Sequence, residues 1–220
     1  MSNALDNYTD LIATLLDTLN RQDLANAVPG FIALVEAEVN SDDRFRCLAS
    51  LVRSTATLSP LVAPQTNSYI PVPADYISMQ NFRILEVPPP GRVTELTTAQ
   101  MDLQRQVLPQ MDTPIHYSVL GEEMELLPAP DTQYTAQMIY YAKVPPLATA
   151  TGGTNWLLNH YPQIYYYGAL LQAAPYLRND DRIATWRMMY EAAAERIKIS
   201  NDRGQFSGSP MKMRANRRYR

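Results

Sequence analysis

The residues best suited to chemistry in this chain are few and scattered. Its 220 residues include two histidines, His116 and His160, and one cysteine, Cys47. Neither histidine has cysteine or carboxylate neighbours at the spacing of a zinc site, so the pattern disfavours a metal centre. No histidine lies near Cys47 in the sequence, which favours a core thiol over a nucleophile.

Three other patterns suggest catalysis or ligand binding but favour simpler interpretations. Glu122, Glu123 and Glu125 resemble the carboxylates of a glycoside hydrolase, yet a short hairpin tip is normally a solvated turn. The segment 152–154, Gly-Gly-Thr, lacks the lysine and the spacing of a phosphate loop. Tyrosines 165–167 point in different directions on a helix, which favours core and subunit contacts over base stacking. We therefore expect no enzymatic activity and no cofactor.

Charge is distributed unevenly along the chain. The whole sequence has 19 basic and 22 acidic residues, a net charge of −3. Residues 203–220 contain six basic and no acidic residues, so residues 1–202 have 13 basic and 22 acidic residues, a net charge of −9. The glycines, serines and proline of this tail predict disorder in the isolated chain. We expect this basic C-terminal arm, residues 203–220, to dock onto a negatively charged partner, either an acidic protein groove or nucleic acid. The alternative is a solvated tail without a partner.

Both ends of the chain have helical patterns. Apolar residues between positions 11 and 19 predict a first helix, and Pro29 opens a second. Apolar residues recur at helical spacing through residues 156–200, and we expect Trp186, Met189 and Ile199 to share one buried stripe.

The middle of the chain reads as β structure. Thirteen of the 17 prolines fall between positions 60 and 146, which excludes long helices there. Short β-like runs lie between these prolines, with one short helix predicted near Thr98; the runs are 68–72, 81–87, 115–120, 124–127 and 134–142. This pattern predicts a small, mostly antiparallel β domain.

The predicted fold class is α+β. Four main helices form a bundle, a small β domain is inserted into it, and an extended arm follows at the C-terminus. The expected boundaries are residues 1–59 for the first part of the bundle, 60–146 for the β-rich domain, 147–202 for the second part of the bundle, and 203–220 for the flexible basic arm.

Three blocks of sequence resemble a known family. They are residues 28–40, residues 126–130 with the Ile-Tyr-Tyr of 139–141, and residues 157–177 with Trp186. They resemble head–tail adaptor (connector) proteins of tailed double-stranded DNA bacteriophages, which in podophages are the gatekeeper or tail tubular protein A-like proteins. Together the blocks span most of residues 28–200, and none is a catalytic signature.

The resemblance implies a structural role in the virion neck after synthesis in the host cytoplasm. Such adaptors form a ring, typically dodecameric, under the portal; they extend the DNA channel and present a docking surface for the tail or nozzle protein. The helical bundle would form the ring body, the β domain would face the tail, and the arm would bind the portal. The expected portal-docking residues are Phe206, Met211, Lys212, Met213, Arg214, Arg217, Arg218, Tyr219 and Arg220. No apolar run approaches the roughly 18 residues of a membrane span, so no membrane partner is expected.

Two other functions stay open at this stage. The first is a nucleic-acid-binding module whose basic tail grips DNA while the acidic body acts as a scaffold. Phosphate contacts by about six basic residues would make such binding weaken steeply with salt, whereas a ring adaptor should have little affinity for free duplex. The second is a peptidoglycan-cleaving tail enzyme, which the loss of turbidity of cell walls would reveal.

Overall fold

The computed structural model describes residues 5–60, 68–86, 91–177 and 181–206; the side chains of residues 205 and 206 are not described. The chain divides into two compact units. The helical unit comprises residues 1–49 and 145–220, and the β unit comprises residues 50–144. Within the described residues there are six α-helices and two small sheets, which confirms the α+β class.

Five of the six described helices belong to the helical unit, and α3 belongs to the β unit. The helices are α1 (Tyr8–Leu19), α2 (Val28–Ser41), α3 (Thr98–Arg105), α4 (Trp156–His160), α5 (Pro162–Gln172) and α6 (Arg182–Phe206). Short 3-10 turns occupy Gln22–Leu24, Asp43–Phe45, Leu48–Ser50, Thr151–Gly153 and Ala174–Tyr176.

The helix starts follow local side-chain chemistry. Asn7 caps α1 by accepting a hydrogen bond from the Asp10 amide, and Asn155 caps α4 by accepting one from the Leu158 amide. Pro162 lies at the first turn of α5, where a missing N–H costs nothing. α3 begins with a full capping box between Thr97 and Gln100.

Helix α5 is the centre of the helical unit. It contacts α1, α2, α4 and α6. Its crossing with α2 is close because position 168 is glycine: a Cβ there would lie 2.9 and 3.0 Å from the two methyl carbons of Val35 and 3.3 Å from the Tyr190 ring. Ile164, Tyr165 and Leu170 are fully buried around this crossing.

Helix α6 buries a narrower stripe than the sequence suggests. Trp186 is buried as expected. Met189 and Ile199, predicted on the same stripe, are instead 42% and 43% exposed. At about 100° per residue, Ile199 lies roughly 140° around the helix from Trp186, so one-sided packing leaves it outside. The buried stripe consists of Trp186, Tyr190, Ala193, Ala194 and Ile197.

The β unit contains eight described strands in two sheets. The strands are β1 (Leu51–Leu58), β2 (Ser68–Pro71), β3 (Tyr76–Ile84), β4 (Gly91–Arg92), β5 (Thr94–Glu95), β6 (His116–Leu120), β7 (Glu123–Leu127) and β8 (Tyr134–Ala142). The first sheet has the order β1-β8-β3-β4 and the second has the order β2-β7-β6-β5. All these pairs are antiparallel except β5–β6.

Side chains from both sheets share one core, so the sheets pack face to face. Phe82 of the first sheet meets Tyr117 of the second edge-on, with ring centroids 5.2 Å apart. Burial raises the pKa of Tyr117, and its hydroxyl donates a hydrogen bond to Glu95 at 3.0 Å. The sandwich therefore presents two outer faces, one on each sheet.

Strand β1 is a finding that the sequence analysis did not anticipate. It lies in the segment that was assigned to the first part of the helical bundle. Arg53, Thr55 and Thr57 alternate along its exposed face, and the strand pairs with β8, about 80 residues away in sequence. A polar edge strand with a distant partner has neither an apolar run nor a nearby turn to mark it.

The Gly168 crossing yields a stability prediction. Gly168→Ala should destabilise the protein by about 1–3 kcal/mol through overpacking against Val35, which is fully buried and stiff at χ1. This loss should exceed the helix-propensity gain of about 1 kcal/mol. The same substitution in a Val35→Ala background should cost clearly less, because both opposing methyl groups are gone. Denaturant unfolding measures all four variants, and an equal cost in both backgrounds would refute the steric account.

Candidate assembly surfaces

The predicted portal-docking arm falls largely outside the described part of the chain. Phe206 is the last residue of α6, and its side chain is not described. The other predicted docking residues lie outside the described residues: Met211, Lys212, Met213, Arg214, Arg217, Arg218, Tyr219 and Arg220. Helix α6 includes the first four residues of the segment predicted as the arm.

The helix that leads into the arm is fixed at its C-terminal end. The Leu48 amide donates to Asn201 Oδ1 at 3.1 Å, and Asn201 Nδ2 donates to the Arg46 carbonyl at 3.4 Å. About three turns earlier, Arg44 Nη1 forms an ion pair with Glu191 Oε2 at 2.5 Å. These contacts hold α6 to the segment that follows α2, so the arm starts from a defined position on the helical unit.

Helix α6 also exposes apolar side chains. Met188 is 62% exposed, and Met189 and Ile199 are close to half exposed. Met188 and Ile199 are eleven residues apart, about three turns, and therefore lie on one face of the helix. Exposed methionines adapt to varied partner surfaces, so this face is a candidate contact for another protein chain.

A buried polar network joins three segments of the helical unit. The carboxylate of Glu36 on α2 is 9% exposed, and its Oε1 accepts hydrogen bonds from the Leu147 amide at 2.8 Å and from the Tyr165 hydroxyl at 3.4 Å. Asn155 Nδ2 donates to the Tyr165 hydroxyl and to the Pro145 carbonyl, both at 2.8 Å. The network thus binds residues 145–155, the return of the chain after the β unit, to α2 and α5.

Burial controls the titration of this network. It raises the pKa of Glu36, and the hydrogen bonds from Leu147 and Tyr165 only partly offset the effect. Burial also raises the pKa of Tyr165, which keeps its hydroxyl protonated and able to donate. Tyr165 has no exposed surface and Asn155 has little, so the arrangement stabilises the fold and offers no access to a substrate.

The residues considered for catalysis are dispersed. Cys47 is buried, His116 lies on β6 and His160 ends α4. Glu122 and Glu123 are exposed at the β6–β7 turn, while Glu125 is buried and forms an ion pair with Arg105. Within the described ranges, no group of three or more histidine, cysteine or acidic side chains is placed to hold a metal ion. In the same ranges, no helix combines the length and apolar character needed to cross a membrane.

The Glu36 network predicts how stability depends on pH. The folded-state pKa lies above the ordinary value of 4.5, so the folded protein should lose stability as the pH rises from that value through the raised pKa. Glu36→Gln keeps an acceptor for Leu147 without the buried charge, so it should match or exceed wild-type stability at neutral pH and flatten the pH dependence. Glu36→Ala should cost about 1–3 kcal/mol because it leaves the Leu147 amide unpaired. Denaturant unfolding at pH 4.5 and 7.5 tests both; a Gln variant as unstable as the Ala variant would contradict this account.

Comparison with known proteins gives the family. The model of the SU10 adaptor protein family matches residues 6–214, which include both units and part of the predicted arm. No curated protein matches the chain. The match confirms the expectation of a phage head–tail adaptor, a structural protein of the virion, at that level of detail. The chain therefore belongs to the SU10 adaptor protein family.

Proposed function

We propose that this protein is the structural head–tail adaptor of a tailed DNA bacteriophage, of the podophage gatekeeper type. It forms a ring, of about twelve copies as the sequence resemblance implies, beneath the portal. The ring extends the DNA channel and carries the docking surface for the tail or nozzle protein. The observation that supports this proposal most strongly is the family match over residues 6–214.

Each part of the chain has a role in this proposal. Helices α1, α2, α5 and α6 form the body of the ring, and the exposed apolar face of α6 contacts a neighbouring protein chain. The β unit faces the tail. The arm binds the portal, with its aromatic and methionine side chains supplying buried area and its arginines supplying charge-assisted hydrogen bonds. The role is structural, without catalysis.

The contacts at the end of α6 support the role of the arm. Asn201 and the Arg44–Glu191 pair fix the helix from which the arm continues. A basic segment that extends from a fixed point pays the entropy of ordering only when it meets its partner. Assembly can then be controlled by the presence of the portal.

Deleting residues 208–220 tests the arm. The variant should keep the melting temperature of the full-length protein, because α6 ends at Phe206. It should lose co-sedimentation with portal or DNA-filled heads.

Replacing Arg214, Arg217, Arg218 and Arg220 with Ala should weaken docking, most strongly at low salt where screening is weakest. A matched variant with Lys at the same four positions should retain more binding. Equal co-sedimentation of full-length and truncated proteins would remove the arm from the mechanism.

The charge of the body predicts the state of the free protein. Residues 1–202 have a net charge of −9, so bodies packed side by side repel one another until the arms dock. Sedimentation velocity of the purified protein should therefore show a monomer at moderate salt, with ring formation only after portal is added. A stable ring without portal would contradict this order of assembly. Salt-sensitive binding of free duplex DNA by the monomer would favour the nucleic-acid-binding module instead.

A further inference from the structure

The strands of the first sheet carry arginines and no acidic residues. Arg53 lies on β1, Arg83 on β3 and Arg92 on β4. Strand register places them on one face: Arg53 is opposite Ile139, Arg83 is opposite both Gln137 and Arg92, and the neighbouring Phe82 and Ile84 point into the core. We call this outer surface the arginine face; it is defined by Arg53, Arg83 and Arg92.

The arginine face lacks partners within the described residues. No ion pair involves its three side chains there, and Arg53 and Arg92 are exposed. Arg83 donates through Nε and Nη2 to a neutral acceptor, the side-chain oxygen of Gln137. A hollow of about 390 Å³ opens between Gln80, Asn81, Arg83 and Arg92.

This arrangement costs stability in the free protein. Arg83 and Arg92 are directly opposite each other on adjacent strands, where like charges are destabilising. Three acids flank β3 and β4 in the chain: Glu95, which accepts a hydrogen bond from the Tyr117 hydroxyl, and Asp75 and Glu86, which lie before and after β3. Asp75 and Glu86 accept hydrogen bonds from the Tyr140 hydroxyl and the Thr135 amide. The guanidinium groups are therefore left available to an external anion.

Exposed acids lie on and around the elements of the second sheet. Asp102 of α3, Asp112, and Glu122 and Glu123 at the β6–β7 turn are all exposed. Arg105 is already paired with Asp102 and with the buried Glu125. Asp102 is thus neutralised, and Asp112, which donates its amide to the Ala129 carbonyl, lies at the other end of β7. We therefore define the acidic side by Glu122 and Glu123 alone.

We propose that the arginine face of one copy binds the acidic side of the next copy's β unit. The proposal rests on the ring proposed above and adds the contact between its β units. Because the two surfaces are different parts of one β unit, their contact is heterologous, and repetition of a heterologous contact generates a ring or filament. Guanidinium–carboxylate pairs supply the specificity, and the side-chain amides around Arg83 and Arg92 supply further donors.

A second copy fits the arginine face better than DNA does. The β unit has nine acidic and five basic residues, so its field repels a phosphate backbone. A second copy presents the exposed carboxylates of Glu122 and Glu123 to the exposed Arg53 and Arg92 at every interface of a ring. The repulsion between Arg83 and Arg92 is then relieved only in the assembly.

Charge reversal tests this contact on portal-templated rings. Arg53→Glu with Arg92→Glu should reduce the number of copies bound per portal at least about tenfold, since like charges then face each other. Glu122→Lys with Glu123→Lys should have the same effect. Combining all four substitutions restores opposite charges at every interface and should restore the ring. Asp17→Lys, at an exposed position on α1 of the helical unit, is the control. All these positions are exposed, so melting temperatures should stay close to wild type.

The outcomes separate this contact from the proposed function. If wild-type protein forms no ring on portal, the proposed function fails. If wild-type protein forms the ring and the Arg53/Arg92 variant forms it equally well, the contact proposed here is overturned while the adaptor function stands. Failure of the fourfold variant to recover would also overturn it, because the acids of the next copy would not be the partners. Normal rings with reduced binding of duplex DNA would assign the arginine face to DNA and overturn the proposal.

Discussion

The contact between α2 and α5 is the interaction on which the helical unit depends. These helices come from chain segments separated by the whole β unit, and no short loop brings them together. Gly168 allows the close approach to Val35, and Glu36 binds the returning chain at Leu147. Helix α6 packs on α5, and hydrogen bonds of Asn201 fix the C-terminal end of α6 to Arg46 and Leu48. The starting point of the basic arm is therefore set by a helix crossing at Gly168, well before Phe206 in the chain.

Basic and acidic residues are distributed unevenly in this protein. The body is acidic overall, yet six basic residues without any acid make up the charge of the arm, and three arginines share the arginine face. Both concentrations are unfavourable in an isolated chain: the arm pays entropy when it is ordered, and Arg83 opposes Arg92 across a strand pair. In our account assembly relieves both, which makes the portal a template and the neighbouring copy a partner.

Sequence reasoning succeeded where local patterns suffice. The α+β class and the burial of Trp186 follow from spacing and propensity. It failed where tertiary contacts decide. β1 is a polar edge strand whose partner is distant in sequence, and no local pattern marks Glu36 as a buried residue. Arg53, Arg83 and Arg92 are far apart in the chain, and only strand register gathers them on one face. The predicted docking residues of the arm beyond Phe206 lie outside the described part of the chain, so they remain a prediction.

The central claim is that this chain completes the neck as a ring beneath the portal. Electron-microscopy class averages of purified portal mixed with the protein test it most directly. Our account predicts an added ring of density on one end of the portal that is absent when residues 208–220 are deleted. Portal particles without added density, at protein concentrations well above that of the portal, would contradict it.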